Sequence, residues 1–204
     1  MKTKIEIEDP NCLVDLIFIV DTSQSVEKAF QKQLQLAATL IEQIPPSAFN
    51  ERIHVAAISF SSNAQINFQF NEFNSQKEIL NALLSFIHTG GNTSSVSAVN
   101  LAIKEIQERG RENVRRMIVL ISDGYSQDRW EDLLDASDRL HAINAIIYAI
   151  SADSNYYFRE LELYTRNKWL VYVNDSEKQF LEDATISLLK CQDPSASIFS
   201  LPAQ

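Results

Sequence analysis

Glycine is scarce in this sequence, with only 4 glycines among 204 residues. It is selected where the backbone must take a positive φ angle or approach another group closely. Three of the four, Gly90, Gly91 and Gly124, lie in loops that also carry hydroxyl or carboxylate side chains. The Gly-x-Ser-x-Gly elbow, the Gly-x-Gly-x-x-Gly turn and the P-loop do not occur. Their absence argues against the enzyme classes that are built on these motifs.

Basic residues are also few. The sequence has 18 Lys and Arg residues against 27 Asp and Glu residues, which gives a formal net charge of −9. This balance argues against nucleic acid as the main partner and fits a protein that binds cations. The apolar runs are far too short to span a bilayer, and the polar start of the chain lacks the apolar region of a signal peptide. We expect no membrane insertion by this segment, which is compatible with a place in a longer chain.

Only two cysteines are present, Cys12 before the first predicted strand and Cys191 at the end of the last predicted helix. In a parallel α/β domain these two points can come close together. One interpretation is therefore a disulfide that brackets the domain, which would imply an extracellular setting. The other interpretation is a pair of free, buried thiols, and the residues alone leave both open.

The most informative stretch is an unbroken apolar run from Leu16 to Val20. A short run rich in β-branched and aromatic residues is typical of a strand that is buried on both faces in the middle of a parallel sheet. It ends abruptly in the polar stretch 21–25, which reads Asp-Thr-Ser-Gln-Ser. Because ligands of open α/β sheets bind just beyond the carboxyl ends of the strands, this stretch is a candidate functional site.

Apolar periodicity predicts strands and helices that alternate along the chain. The predicted strands are 15–21, 52–60, 64–70, 116–122, 145–150 and 169–173. The predicted helices are 25–44, 75–86, 96–110, 129–141 and 176–190, with a short helix before the last strand. This order predicts an α/β fold with a doubly wound, mostly parallel sheet, one antiparallel edge strand (64–70) and helices on both faces. We expect a lead-in over 1–11, a single domain over 12–191 and a disordered tail over 192–204.

The doubly wound topology is expected to bring three polar loops, 21–25, 90–95 and 123–124, to one edge of the sheet. Their oxygen-bearing side chains are Asp21, Ser23, Ser25, Thr93 and Asp123. Taken singly, these residues also suit a helix cap or a turn. Taken together, two carboxylates and three hydroxyls suit a hard cation, first Mg²⁺ and then Mn²⁺ or Ca²⁺, rather than zinc or copper. Such an ion keeps water ligands, one of which a carboxylate of a partner could displace.

These loops resemble the metal-ion-dependent adhesion site of the von Willebrand factor type A domain, a family close to the integrin inserted domain. The resemblance covers about residues 12–191. The motifs that carry it are Asp21-Thr22-Ser23-Gln24-Ser25, Gly90-Gly91-Asn92-Thr93 and Asp123-Gly124. All five ligand positions hold the expected residue type, and one departure is Gln24, where many members have glycine. The paired terminal cysteines are also similar to those of extracellular members.

The resemblance implies a Rossmann-like fold and a metal-dependent role in adhesion or protein binding, without enzyme activity. The bound cation would bridge to an acidic residue of an extracellular-matrix or cell-surface protein, so the chain would be secreted or displayed at the cell surface. In the family, Ser23 and Ser25 would coordinate the ion directly, while Thr93 and one of the two aspartates would shift between direct and water-mediated contact.

Two alternatives to this hypothesis are open. One is a structural domain of a multidomain extracellular protein in which the metal mainly stabilises the fold. The other is a Mg²⁺-dependent hydrolase with Asp21 as nucleophile. The second is weakened by Ser23, which stands where aspartate-nucleophile phosphatases commonly have a second Asp. Beside the site, residues 125–128 are expected to line its rim, and the aromatic run 156–158 is expected to pack in the core or at the rim.

Overall fold

The computed structural model describes residues 11–192, so the predicted lead-in and tail lie almost wholly outside the described residues. Within this range there are six strands and six α-helices. The strands are β1 (Val14–Asp21), β2 (Ile53–Phe60), β3 (Ala64–Phe68), β4 (Arg115–Ile121), β5 (Ala145–Ile150) and β6 (Val171–Tyr172). The helices are α1 (Phe30–Gln43), α2 (Gln76–Leu84), α3 (Ser95–Arg109), α4 (Trp130–Ala142), α5 (Phe158–Thr165) and α6 (Glu177–Lys190).

The strands form one sheet in the order β3-β2-β1-β4-β5-β6, in which all pairs are parallel except β2 with β3. This arrangement confirms the predicted fold class, including the antiparallel edge strand. Strand β1 lies in the centre of the sheet, and all of its residues are buried. Leu16 and Phe18 face a core closed by α1, α2 and α6, whereas Ile17 and Ile19 face a core closed by α3, α4 and α5. The two-sided burial explains why the run from Leu16 to Val20 is apolar without alternation.

Several predicted elements differ from the structure at their ends: β3 ends at Phe68 rather than at residue 70, α2 ends at Leu84 rather than at residue 86, and two other elements change more. The predicted helix 25–44 begins only at Phe30, because the chain after β1 first forms a 3₁₀ turn over Gln24–Val26. The predicted strand 169–173 is reduced to β6, because the Asn167 side chain accepts a hydrogen bond from the Trp169 N–H at 3.0 Å and begins a 3₁₀ turn over Lys168–Leu170. In the second case a local polar contact overrides the apolar pattern.

A disulfide joins Cys12 to Cys191, with the two Cα atoms 5.6 Å apart, so the free-thiol interpretation is wrong. The bond ties the start of β1 to the end of α6. Arg115 at the start of β4 supports the same junction, since its Nη1 donates to the Cys191 carbonyl at 2.7 Å. Among residues 11–192, no helix has the length and apolar character needed to cross a membrane.

Candidate metal centre

The candidate site lies where the chain changes direction in the sheet. From β1 the chain continues to β2 and β3 on one side, and it then returns to β4 on the other side of β1. The loops that follow β1 and β4 therefore diverge and leave a crevice at the carboxyl edge, the usual place for a ligand in this architecture. Val20 is paired with Ile121, so Asp21 leaves the sheet beside the Ser122–Asp123 segment.

The loop after β1 is ordered by hydrogen bonds to both carboxylate oxygens of Asp21. Oδ1 accepts from the Ser23 N–H at 2.9 Å, and Oδ2 accepts from the Ser122 hydroxyl at 2.7 Å. The Ser23 and Ser25 hydroxyl oxygens lie 3.2 Å apart. Asp21 and Ser23 are buried, whereas Ser25 is exposed at the mouth of the crevice. The predicted Asp-x-Ser-x-Ser stretch thus turns its oxygen atoms to one place, partly open to solvent.

The glycine loop between α2 and α3 is held against the first loop by backbone bonds. The Thr22 carbonyl accepts from the Gly90 N–H at 2.9 Å, and the Gln24 N–H donates to the Gly91 carbonyl at 3.1 Å. Both glycines have positive φ angles, 67° and 82°, which other residues rarely adopt. His88 adds a bond between its Nε2 and the Ser23 carbonyl at 2.8 Å. The two loops therefore form one connected unit.

Thr93 is linked to the loop after β4 through its backbone. Its N–H donates to Gln127 Oε1 at 2.6 Å, and its carbonyl accepts from the Gln127 N–H at 2.9 Å. These two bonds use the backbone of Thr93 and not its hydroxyl. The sequence predicts only that Gln127 lines the rim, and its reciprocal bonds with Thr93 are not visible in the sequence pattern. They bring the second and third predicted loops together.

Asp123 is positioned by the turn at Gly124. Its Oδ1 accepts from the Tyr125 N–H at 3.0 Å, and its carbonyl accepts from the Tyr157 N–H at 2.7 Å. Gly124 has a φ angle of 77°, and a Cβ atom there would lie 2.7 Å from the Tyr157 carbonyl oxygen. Only glycine fits this close approach without a shift of the backbone. The turn therefore fixes Asp123 between β4 and the start of α5.

The site combines two buried carboxylates without a basic partner. Asp21 and Asp123 are both at most 2% exposed. Burial, with a smaller contribution from the charge of Asp123, raises the pKa of Asp21 to about 6, although hydrogen bonds from Ser23 and Ser122 oppose this shift. Among residues 11–192, no Lys, Arg or His forms an ion pair with either aspartate. A bound cation would lower the electrostatic cost of burying these two carboxylates.

The structure thus places the three loops that carry the five predicted ligands side by side at the switch point. Within the described part of the chain, no three His, Cys, Asp or Glu side chains are grouped so that they could hold a metal. A metal at this crevice would therefore depend on serine and threonine hydroxyls in addition to the two carboxylates. A donor set of oxygen atoms alone fits Mg²⁺, Mn²⁺ or Ca²⁺.

A buried glutamate that the sequence analysis did not single out connects two of the loops. The Glu160 carboxylate accepts from the Ser95 hydroxyl at 2.7 Å and from the Ser126 hydroxyl at 2.9 Å. Ser95 begins α3 just after Thr93, and Ser126 follows Asp123 by three residues. Burial raises the pKa of Glu160 to about 7, with a smaller contribution from Asp128, while the serine hydrogen bonds oppose it. In the sequence, Glu160 is indistinguishable from a surface residue of a short helix.

We predict that Glu160 contributes more to the stability of the metal-free protein at pH 6 than at pH 8. Because its pKa in the folded protein is about 7 against an ordinary 4.5, the folded state binds a proton that the unfolded chain releases, and this contribution is lost as the pH rises through 7. The difference should be about 1 kcal/mol, or about 2–4 °C in melting temperature. Thermal melts of wild type and Glu160→Gln in EDTA at the two pH values measure it, because the comparison cancels the opposing contributions of His54 and His141, whose pKa values are lowered by burial.

Glu160→Gln should reduce this pH dependence. The matched control is Glu105→Gln, which alters a buried glutamate of α3 that pairs with Arg109 outside this cluster. The control should keep the wild-type difference between pH 6 and pH 8. An unchanged difference in Glu160→Gln would show that the assignment to Glu160 is wrong.

Fold and site together define a class of protein: doubly wound α/β domains with an oxygen-lined crevice at the switch point. Within that class, the sequence model of the von Willebrand factor type A domain matches residues 15–185. The chain belongs to the von Willebrand factor type A domain family, as its motifs indicated.

Curated relatives share this domain within much longer chains. Human vitrin is 30% identical over 137 residues, which cover 67% of this chain and 20% of vitrin. The mouse collagen alpha-4(VI) chain is 28% identical over 177 residues, which cover 85% of this chain and 7% of the collagen chain. The present chain therefore spans a fifth or less of the length of these two relatives.

Solved structures share the fold at low sequence identity. One is the mussel byssus proximal thread matrix protein 1 with a zinc-occupied MIDAS motif, with a TM-score of 0.73 and 18% identity over 88% of this chain and 48% of that chain. Another is the manganese-loaded TRAP protein of Plasmodium vivax, with a TM-score of 0.69 and 17% identity over 85% of this chain and 72% of that chain. These similarities establish the architecture.

Proposed function

We propose that this chain is a metal-dependent protein-binding module. The observation that carries the proposal is the pair of buried aspartates, Asp21 and Asp123, at the switch point of the sheet, without an ion-pair partner among residues 11–192. Burying two like charges side by side is costly unless a cation accompanies them. A site that serves only the fold would more simply hold neutral side chains at these positions.

Five side chains would hold the cation: Asp21, Ser23, Ser25, Thr93 and Asp123. A bound Mg²⁺ or Mn²⁺ would act as a Lewis acid with an open position for a carboxylate of the partner. The chain's own contribution is to keep the ligands in place. Ser122 orients Asp21, the Tyr125 N–H orients Asp123, and Gln127 fixes the Thr93 backbone. Two structures that share the fold support a divalent ion, since zinc and manganese are named for them.

The partner we propose is an extracellular-matrix or cell-surface protein. A disulfide persists in oxidising surroundings, so the Cys12–Cys191 bond supports a secreted or surface-displayed protein. The similarity to a collagen chain and to a thread matrix protein supports the same setting. We propose binding and not catalysis, because both carboxylate oxygens of Asp21, the candidate nucleophile, already accept hydrogen bonds from the Ser23 N–H and the Ser122 hydroxyl.

The proposal is tested by metal-dependent capture of matrix proteins. The immobilised domain is incubated with an extracellular-matrix extract in Mg²⁺ or in EDTA. We expect wild type to retain specific proteins in Mg²⁺ only, and Asp123→Asn to retain none, because the substitution removes one charge from the ligand set. Asp138→Asn is the control, since Asp138 is an exposed carboxylate of α4 outside the site.

One result would favour a purely stabilising metal instead. If calorimetry detects Mg²⁺ binding and melting rises with Mg²⁺, but no protein is retained in a metal-dependent way, the adhesive role is contradicted. The buried position of Asp21 makes such stabilisation physically reasonable, because a cation there would offset the cost of the buried charge.

A further inference from the structure

Two exposed tyrosines lie on segments that flank Asp123. Tyr125 belongs to the loop after β4, and Tyr157 directly precedes α5. Their rings are stacked, with centroids 5.8 Å apart and an interplanar angle of 24°. Each side chain is 38% exposed, and neither belongs to the two hydrophobic cores. The pair is therefore a surface feature whose presence the packing of the fold does not explain.

The backbones of both tyrosines are tied to Asp123. The Tyr125 N–H donates to Asp123 Oδ1 at 3.0 Å, and the Tyr157 N–H donates to the Asp123 carbonyl at 2.7 Å. The Tyr125 hydroxyl also donates to Asn155 Oδ1 at 3.2 Å, which fixes the direction of that ring. Tyr125 follows Asp123 by two residues, a span of at most about 7 Å. The ring pair thus sits at a set distance from the proposed metal ligand.

We infer that the Tyr125–Tyr157 pair is a second contact point for the protein partner and receives an aromatic side chain. This inference rests on the proposed function. Exposed aromatic surface marks protein interfaces, where tyrosine is enriched. In an extended segment, residues two positions apart point to the same side, so an acidic and an aromatic residue at that spacing face the crevice and the ring pair together. The recognised segment therefore carries an acidic and an aromatic residue two positions apart.

The choice of an aromatic over a basic side chain follows from the geometry of the pair. Rings prefer offset or edge-to-face contacts with centroids about 4.5–7 Å apart, and the two tyrosines already have this spacing, so a third ring extends the arrangement. A cation would also be attracted to a ring face. Arg159, two residues after Tyr157, places its guanidinium over Trp130 at 5.0 Å rather than over either tyrosine. The Arg159 guanidinium therefore does not contact the face of either tyrosine of the pair.

Short immobilised peptides test this inference. Each contains one Glu in a Gly-Ser background and Phe, Ala or Arg two positions away, and a peptide with Gln in place of Glu is the blank. Binding of the domain is measured by surface plasmon resonance in MnCl₂ and in EDTA. In MnCl₂ we expect the Phe peptide to bind about five- to tenfold more tightly than the Ala peptide.

Tyr125→Ala should abolish this preference, because the substitution removes one ring of the pair while keeping the backbone N–H that reaches Asp123. Tyr125→Phe keeps the ring and should keep the preference. Trp169→Ala is the matched control, since Trp169 is a 57% exposed aromatic residue next to β6 and its removal should leave the preference unchanged.

The possible outcomes distinguish a failure of the inference about the tyrosine pair from a failure of the proposed function. Equal binding of the Phe and Ala peptides, tighter binding of the Arg peptide, or a preference that survives Tyr125→Ala overturns the inference and leaves the proposed function standing. If no Glu peptide binds better than the Gln blank in MnCl₂, the proposed function is overturned, and the inference falls with it.

Discussion

Replacing Asp123 by alanine is expected to weaken Mn²⁺ and Mg²⁺ binding by more than about 100-fold. Loss of a residue that only orients a metal ligand typically costs about 10–100-fold, so loss of a charged ligand should cost more. Asp123 is also one of only two carboxylates in the proposed ligand set, so its removal leaves a dication with half of the compensating charge. Isothermal titration calorimetry on wild type and variant measures the two dissociation constants.

Two further variants provide a comparison for the loss of metal affinity in Asp123→Ala. Ser122→Ala removes the hydroxyl that donates to Asp21 Oδ2 at 2.7 Å but removes no ligand, so its loss should stay within about 10–100-fold. Asp138→Ala removes an exposed carboxylate of α4 and should bind like wild type. If Asp123→Ala binds Mn²⁺ as tightly as Asp138→Ala does, the ion is held elsewhere and the proposed ligand set is wrong.

Among the variants proposed here, the one that lacks the disulfide is expected to lose the most free energy of unfolding. The Cys12–Cys191 bond closes a loop with a sequence separation of 179, for which the chain-entropy model gives about 5 kcal/mol. Measured losses on removing native disulfides are typically about 2–5 kcal/mol, which corresponds to about 5–15 °C in the melting temperature of a domain of this size. The Cys12→Ala/Cys191→Ala double variant, melted beside wild type, tests this.

The choice of alanine matters, because Cys12 is only 2% exposed and a serine hydroxyl there would add an unrelated burial cost. Melting of wild type in a reducing agent provides an independent comparison, and it should approach the melting temperature of the double variant. A double variant that melts within about 1 °C of oxidised wild type would mean that the bond contributes little to stability.

The sequence was sufficient to predict the architecture and the convergence of the candidate loops. The run from Leu16 to Val20 has the apolar character required of a strand with cores on both faces, which is where β1 lies. The alternation of strands and helices then fixes a switch point beside β1, and the scarce glycines mark loops that meet there. That the five oxygen-bearing residues bind a metal stays a prediction.

The contacts that support these loops could not be predicted, because they join residues far apart in the sequence. Ser122 reaches Asp21 across 101 positions, Glu160 reaches Ser95 across 65, and Gln127 reaches Thr93 across 34. None of these side chains interrupts the periodicity of its own segment. The misplaced start of α1 has a related cause, since the Gln24 N–H bonds to the Gly91 carbonyl of a distant loop and not within a helix.

The most direct test of the central claim is an anomalous difference map from crystals of the domain grown with MnCl₂. We predict one strong peak in the crevice beyond β1 and β4, within coordination distance of side-chain oxygens from Asp21, Ser23, Ser25, Thr93 or Asp123. The Asp123→Ala crystals should lose that peak. A map with no peak in this crevice, or with manganese bound only at other sites, would contradict the account.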